Sequence, residues 1–240
     1  MFLGNKTMRR KQEKVLDLRE KMSDLFGCLS EEEQALLEKQ ITIETYKKNE
    51  TIYHEGERPN QLFCMLSGKA KIFKEGVGGR SQTMRLIKPV EYFGYRAYIS
   101  GQDFITAAGA LETSVVAKVP LAYLVELIKS NSEVAWFFIH QLATALGQAD
   151  ERTVNLTQKH IRGRLAEALL FLKENYGLEE DGYTLSIYMS REDLANLSNM
   201  TTSNAIRTLS AFATEKLVAI DGRKIKIINE KELQRISKLG

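Results

Sequence analysis

Residues 189–228 read MSREDLANLSNMTTSNAIRTLSAFATEKLVAIDGRKIKII. Ser190 stands three residues before Asp193, the spacing of a capping box, in which a hydroxyl takes a helix N–H and a carboxylate reaches back. Leu194 and Leu197 then share a helical face. Ser198-Asn199-Met200 interrupts the pattern, and Asn tolerates the left-handed backbone a tight turn needs. Thr201 is placed to cap a second helix. Ala205, Ile206, Leu209 and Phe212 recur at helical spacing and predict one buried stripe. The opposite face carries Ser203, Asn204, Arg207 and Ser210, with Thr202 in the exposed first turn. These short polar groups and one guanidinium suit base edges in a major groove. Asp221-Gly222 is a hairpin signal between Val218-Ala219-Ile220 and Lys224-Ile225-Lys226-Ile227-Ile228. Lys224 and Lys226 alternate with Ile225 and Ile227, which predicts a wing that offers ammonium groups to phosphates. A helical hairpin alone could serve only to fill a core. The caps, turn, polar face and basic wing together predict a winged helix-turn-helix that reads a duplex. Its expected interface is Ser190, Arg191, Thr201, Thr202, Ser203, Asn204, Arg207 and Lys224.

The 240-residue chain is 43% hydrophobic and 27% charged, with a net charge of only +3. That is ordinary globular composition, with length for one or two domains. A nucleic-acid site must therefore be a local patch, and Arg207, Lys216, Arg223, Lys224 and Lys226 supply one. The two cysteines, Cys28 and Cys64, form neither a ligand cluster nor a disulfide framework. The start, MFLGNKTMRRKQEK, lacks the apolar core of a signal peptide, and no run is apolar enough to span a bilayer. The expectation is a cytoplasmic protein without a membrane partner.

Residues 1–19 are polar and basic, an arm or an extra helix. Ser30-Glu31-Glu32-Glu33 is a second capping signature and opens a short helix. Over 41–119 short β-prone runs alternate with turn residues, among them Gly56, Gly68, Gly94 and Gly101. This texture predicts an antiparallel barrel or jelly roll. After Pro120 comes a short helix, then a long one that Ser132 can cap. It carries Val134, Phe137, Phe138, Leu142, Ala145, Leu146, Ala149 and Val154. An apolar seam on a long helix suits a two-fold contact, and Phe138, Leu142, Ala145, Leu146 and Ala149 are the expected interface. A further helix runs to Gly177. The fold class is α+β: residues 1–130 a sensor domain with a helical arm, 131–157 a dimerisation helix and hinge, 158–240 the winged helix.

This order of barrel, long helix and winged helix resembles the bacterial CRP/FNR family of transcription regulators. The run NETIYHEGERPNQLFCMLSG at 49–68 is similar to the family's first barrel strands. Glu91-Tyr92-Phe93-Gly94 with Ser100-Gly101-Gln102 is similar to its phosphate-binding cassette. Val154-Asn155-Leu156 through Ile161-Arg162-Gly163-Arg164-Leu165-Ala166 is similar to the hinge and first DNA-domain helix. The resemblance implies a homodimer on a palindromic promoter site, a contact with RNA polymerase, and a small-molecule effector in the barrel.

The same resemblance places the effector pocket at Gly94, Tyr95, Arg96, Ala97, Ile105, Thr106, Ala149 and Asp150. The cyclic-AMP members cradle the phosphate with an Arg and a Ser or Thr, and hold the ribose with a Glu. Here the Glu position is Tyr95 and the Arg position Ile105, so only the hydroxyl of Thr106 remains. The adenine-contacting pair becomes Ala149-Asp150. Burying a phosphate without a paired cation costs several kcal/mol, so the chain is not expected to bind cyclic AMP in the usual way. The family's first two base readers, Arg and Glu, become Thr202 and Ser203, with the later Arg kept as Arg207.

An iron–sulfur cluster needs about four thiolates and is excluded. Haem sensing needs an axial ligand, for which His54, His140 and His160 are the candidates; no cofactor or metal is predicted. The aromatic run around Tyr92, Phe93, Tyr95, Tyr98 and Phe104 fits either a flat ligand or a filled interior. Gly76-Val77-Gly78-Gly79-Arg80 lacks the Gly-Lys-Ser/Thr ending of a phosphate loop, and no nucleophile elbow appears, so no enzyme is expected. The alternative reading is a haem- or other ligand-sensing module whose winged helix serves as a protein contact.

Overall fold

Strand β3 (Gln61–Ser67) is apolar on both faces because both are covered: Leu62, Cys64 and Leu66 enter one hydrophobic cluster, Phe63 and Met65 another. Period-two alternation is hidden in such a strand. The computed structural model describes residues 18–76, 79 and 81–239, and the basic arm lies outside them up to position 17. By internal contacts the chain divides into two units. One holds residues 18–72 with Arg85–Ala145, the other Phe73–Met84 with Leu146–Gly240.

The first unit begins with helices α1 (Ser23–Phe26) and α2 (Glu31–Gln40). Ser30 and Glu33 make the expected reciprocal capping box: the Glu33 amide donates to the Ser30 hydroxyl at 3.3 Å, and the Ser30 amide to the Glu33 carboxylate at 2.9 Å. The strands follow in the chain as β1 (Thr42–Tyr46), β2 (Thr51–Tyr53), β3, β4 (Ala70–Glu75), β5 (Ser81–Ile87), β6 (Tyr92–Phe93), β7 (Ala107–Ala110) and β8 (Ser114–Pro120), with helix α3 (Tyr95–Ile99) between β6 and β7, and β4 from Phe73 and β5 up to Met84 are counted with the second unit. They form two four-stranded sheets, β1-β8-β3-β6 and β2-β7-β4-β5. Of the two expected forms, barrel or jelly roll, the sheets make the two-sheet jelly roll and not a closed cylinder. Tyr53, Phe63, Met65, Phe93 and Phe104 make one cluster. The other joins β3 and β8 to the helices through Leu25, Leu37, Tyr92, Tyr95, Leu124 and Phe138.

Helix α4 (Leu121–Ser130) follows β8, and α5 (Ser132–Gln158) is a single helix of 27 residues. Its cap is Asn131, not Ser132: the Asn131 side-chain oxygen accepts from the amides of Glu133 (3.0 Å) and Val134 (3.3 Å). The second unit then holds α6 (Ile161–Tyr176), α7 (Arg191–Leu197), α8 (Thr202–Thr214), the hairpin β9 (Val218–Asp221) and β10 (Lys224–Ile227), and α9 (Glu230–Leu239). Gly177 ends α6 at φ 74°, a conformation that favours glycine. In the hairpin Asp221 pairs with Lys224, so the two-residue loop is Gly222-Arg223, one position beyond the expected Asp-Gly. The segment before α7 extends the wing, with the Leu185 amide on the Ile225 carbonyl and the Ile227 amide on that of Tyr183, both 2.9 Å.

Candidate nucleic-acid interface and sensor interior

Both helices of the helix-turn-helix are capped by the expected hydroxyls. The Ser190 hydroxyl accepts from the Asp193 amide at 3.0 Å and donates to its carboxylate at 2.7 Å. The Thr201 hydroxyl accepts from the Asn204 amide at 3.2 Å. Asn199 takes the left-handed conformation, φ 48°. The two helices meet over Leu194, Leu197, Ala205, Leu209 and Phe212, all buried.

Ile206 does not join that stripe, for it is 46% exposed. At about 100° per residue it lies on the outer arc with Thr202, Ser203, Arg207 and Ser210, all exposed as well. The Arg207 guanidinium donates to the Asn204 side-chain oxygen at 2.5 Å. Asn204, half-buried, therefore orients the Arg207 side chain and is not itself fully presented.

Arginines brace the turn. From α6, Arg164 donates to the carbonyls of Ser198, Asn199 and Lys159, each at 3.1 Å. Within the same unit Arg152 donates to the Leu197 carbonyl (2.9 Å) and to that of Thr83 (2.6 Å), and Gln82 donates to the Asn196 carbonyl (3.1 Å). The carbonyls that α7 leaves without intrahelical partners thus meet cationic or amide donors, which also suits the negative end of the helix dipole. Burial holds the Arg152 pKa below its ordinary value. Arg162 makes a bidentate pair with Glu215 at 2.8 and 2.7 Å and stacks over the Phe212 ring at 5.0 Å. None of these contacts was assigned from sequence. The signal was two arginines in the first turn of α6, where the positive helix end disfavours cations unless partners hold them.

The wing is less basic than its residue types suggest. Lys224 pairs with Glu179 at 3.5 Å and lies over the Tyr188 ring at 5.3 Å; Lys226 pairs with Asp181 at 3.1 Å. Bonds from Thr184, Tyr183 and Lys226 hold the Asp181 carboxyl well below the usual range. Arg191 donates to the Gly222 carbonyl at the wing tip, 2.7 Å away. It therefore steadies the wing from α7. Arg223 is exposed at that tip, and Lys216 is exposed between α8 and the start of β9, at the opposite end of the hairpin.

In the first unit Gly94 has φ 87°, and a Cβ there would come within 2.6 Å of the Phe63 ring. Tyr95 is buried edge-on against Phe138, with ring centroids 5.1 Å apart. Ala97 is buried, Arg96 exposed and Ile105 52% exposed. Thr106 hydrogen-bonds the Tyr53 hydroxyl, whose pKa burial raises although Thr106, Arg85 and Arg96 act the other way. Arg85 pairs with Glu91 at 3.3 Å; it is a guanidinium near the cassette that sequence reasoning did not single out. Tyr53 stacks on Phe104 at 3.9 Å and on Phe63 at 5.7 Å, and Phe63 on Phe93 at 5.2 Å. These rings occupy the interior that was open to either a ligand or self-filling. An open cleft of about 350 Å³ lies beside them, lined by residues including Tyr53, Arg58, Gln61 and Lys118. Ala149 and Asp150 are exposed on α5. His54, His140 and His160 are all exposed and far apart in the chain, and the described residues contain no group of three or more His, Cys, Asp or Glu that could hold a metal.

On α5 the expected interface divides. Phe138 is 2% exposed and Leu142 packs on the same cluster, so both serve the core of their own unit. Ala145 is half-buried; Leu146 and Ala149 are exposed. The exposed apolar residues are Trp136 (65%), Ile139, Leu146 (64%) and Val154, an arc that shares only Leu146 with the expected interface.

No described helix is long and apolar enough to cross a membrane. The cyclic nucleotide-binding domain family matches residues 43–131, and the Crp-like helix-turn-helix domain family residues 163–236. The chain is 27% identical to the cyclic AMP receptor protein of Thermus thermophilus, over 90% of this chain and 98% of that protein. It is 23% identical to the global nitrogen regulator of Nostoc sp., over 80% and 88%. Among solved structures it resembles FixK2 from Bradyrhizobium japonicum, with 25% identity, a TM-score of 0.74 and coverage of 82% of this chain and 96% of that one. A CRP/FNR-family regulator from Eubacterium rectale shares the fold, with 19% identity, a TM-score of 0.75 and coverage of 89% and 97%. A jelly roll and a braced helix-turn-helix with a polar outward helix thus follow one another in the order these families prescribe, and the chain belongs to the CRP/FNR family of transcription regulators.

Proposed function

We propose that the chain is a homodimer that reads a palindromic promoter site through α8 and, once bound, contacts RNA polymerase. The observation that carries this reading is the outward arc of α8. Thr202, Ser203 and Arg207 are exposed while Ala205, Leu209 and Phe212 are buried, which is the division a groove-reading helix needs. Arg207, steadied by Asn204, pairs with a guanine through O6 and N7. Two-fold symmetry enters through α5, whose Trp136, Ile139, Leu146 and Val154 recur on one helical face and form a seam with a second copy. Phosphate contacts come from Arg223 and Lys216, and from Lys224 only where a phosphate displaces its partner Glu179. No catalytic step is assigned to any residue.

The sensor interior supports a reading in which cyclic AMP is not the effector. A buried Tyr95 replaces the ribose-binding carboxylate, an exposed Ile105 replaces the phosphate-binding guanidinium, and aromatic rings fill the space. Isothermal titration is expected to show no cyclic-AMP binding in the micromolar range; such binding, with the phosphate on Thr106, overturns this part.

Gel-shift titration of Arg207→Ala against a selected operator and a random duplex tests the main reading. Specific affinity is expected to fall about fivefold to 150-fold, the loss of one bidentate base contact at roughly 1–3 kcal/mol, with little change on random duplex. Equal losses on both remove Arg207 as a reader. Affinity of the unmodified protein must also fall steeply with salt as counterions are released; a salt-independent interaction would leave the winged helix as a protein contact.

A further inference from the structure

We propose that Ile206 is a specificity determinant, placed to press on the C5-methyl group of a thymine in the major groove. The inference rests on the reading of α8 as the groove-reading helix. It begins with a residue on the wrong side. Ile206 has helical spacing suited to the buried stripe, yet it is 46% exposed, while Ala205, Leu209 and Phe212 at 0%, 1% and 0% complete that stripe without it. A lone exposed aliphatic is ordinary on most surfaces. This one is flanked on its own arc only by polar neighbours: Thr202 one turn before, Ser210 one turn after, Ser203 and Arg207 beside it.

The chemistry of the groove limits what such a side chain can meet. Guanine and adenine present acceptors and donors there, cytosine a donor, and thymine an acceptor with a methyl group. Isoleucine has no polar atom. Set against an amino or carbonyl edge it would strip water from that group and return no hydrogen bond. Against a thymine methyl both surfaces leave water together. Charge selects duplex over an apolar protein surface as the occupant, because Arg207, Lys216 and Arg223 are exposed on the same helix, at its end and on the wing tip. The motif then reads two unlike features: a guanine by the Arg207 guanidinium and a thymine by the Ile206 side chain.

The test uses the full-length protein and an operator selected in vitro from random duplex. Each thymine in the site is replaced in turn by deoxyuridine, which deletes the methyl group and leaves every hydrogen-bonding edge intact. The unmodified protein is expected to lose about fourfold in affinity per methyl at one thymine of the half-site, the effect of one buried methyl-sized group, and nearly nothing elsewhere. Ile206→Ala is expected to bind the thymine operator several-fold more weakly and to show no thymine-over-uracil preference at that position. Its salt-dependent affinity for random duplex should stay unchanged, which a merely structural defect would not allow. Selection of a site at which no single deoxyuridine matters, or an Ile206→Ala protein that keeps the full methyl preference, overturns the proposal and leaves the DNA-reading assignment standing. Failure to select any sequence brings down both, with salt-insensitive capture of protein in place of duplex as the sign that the face serves a protein contact.

Discussion

Replacing Arg164 with alanine removes one guanidinium and three hydrogen bonds, to Ser198, Asn199 and Lys159, each 3.1 Å long. A bond to a charged donor contributes roughly 1.5–3 kcal/mol. The three share one side chain, and the freed carbonyls regain some water, so the losses do not add. The net destabilisation of the turn is expected at about 2–4 kcal/mol. Two compact units unfold with no single well-defined free energy, so the assay must be local. The Met200 amide, bonded to the Ala195 carbonyl at 3.0 Å across the turn, reports opening by native-state hydrogen exchange. Where reclosing outruns exchange, 2–4 kcal/mol corresponds to about thirty- to eight-hundredfold faster exchange. Arg162→Ala is the control. Its bidentate partner Glu215 is the more conventional ion pair, but both side chains are over 40% exposed, and such a pair contributes at most about 1 kcal/mol. Exchange at Met200 within twofold of the control refutes the argument that Arg164 holds the turn.

Gly94→Ala combines a left-handed backbone, costing about 1–2 kcal/mol, with a Cβ 2.6 Å from the Phe63 ring. It should destabilise the first unit by about 2–4 kcal/mol, read as a lowered urea midpoint by tyrosine and tryptophan fluorescence. Thr83 is fully buried, and its hydroxyl finds no partner among the described residues. Thr83→Val should therefore be neutral or stabilising by up to about 1 kcal/mol, and a loss above that value in thermal denaturation counts against an unsatisfied hydroxyl. Burial pushes the Cys64 thiol up to about 12 from an ordinary 9.0. A thiol reagent at pH 8 should label Cys28, half-buried, well before Cys64. Because the folded pKa is raised, the associated stabilisation is complete below pH 9.0 and is lost as pH climbs toward 12. Cys64→Ala should flatten the fall of Tm across that window, and an unchanged slope sinks the assignment.

Local chemistry made much of the fold legible in advance. Ser30, Ser190 and Thr201 cap the helices expected of them, Asn199 turns left-handed, and Gly177 stops α6, because each of these roles is settled within three or four residues of chain. The outward placement of Thr202, Ser203 and Arg207 was legible for the same reason. The long helix was legible as a helix, and the arc it turns to its own unit was not. Periodicity shows that apolar residues share an arc, and it does not say which arc meets the rest of the unit. Phe138 and Leu142 went to their own core, while Trp136 and Ile139 stayed exposed.

Amino-acid order alone thus settled the main helices, the caps at Ser30, Ser190 and Thr201 and the helix-turn-helix motif, all of them questions of short-range hydrogen bonding and period. Tertiary structure decided which charges remain available. Lys224 and Lys226 meet Glu179 and Asp181, and Arg191 meets Gly222. Residues thirty to fifty apart are joined in these contacts, and nothing in the spacing of either partner announces the other. The outward position of Ile206 follows from helix phase, for it lies about 100° round from Ala205 and outside the arc of Ala205, Leu209 and Phe212. Which partner a charge meets is a property of the packed unit, and no window of sequence records it.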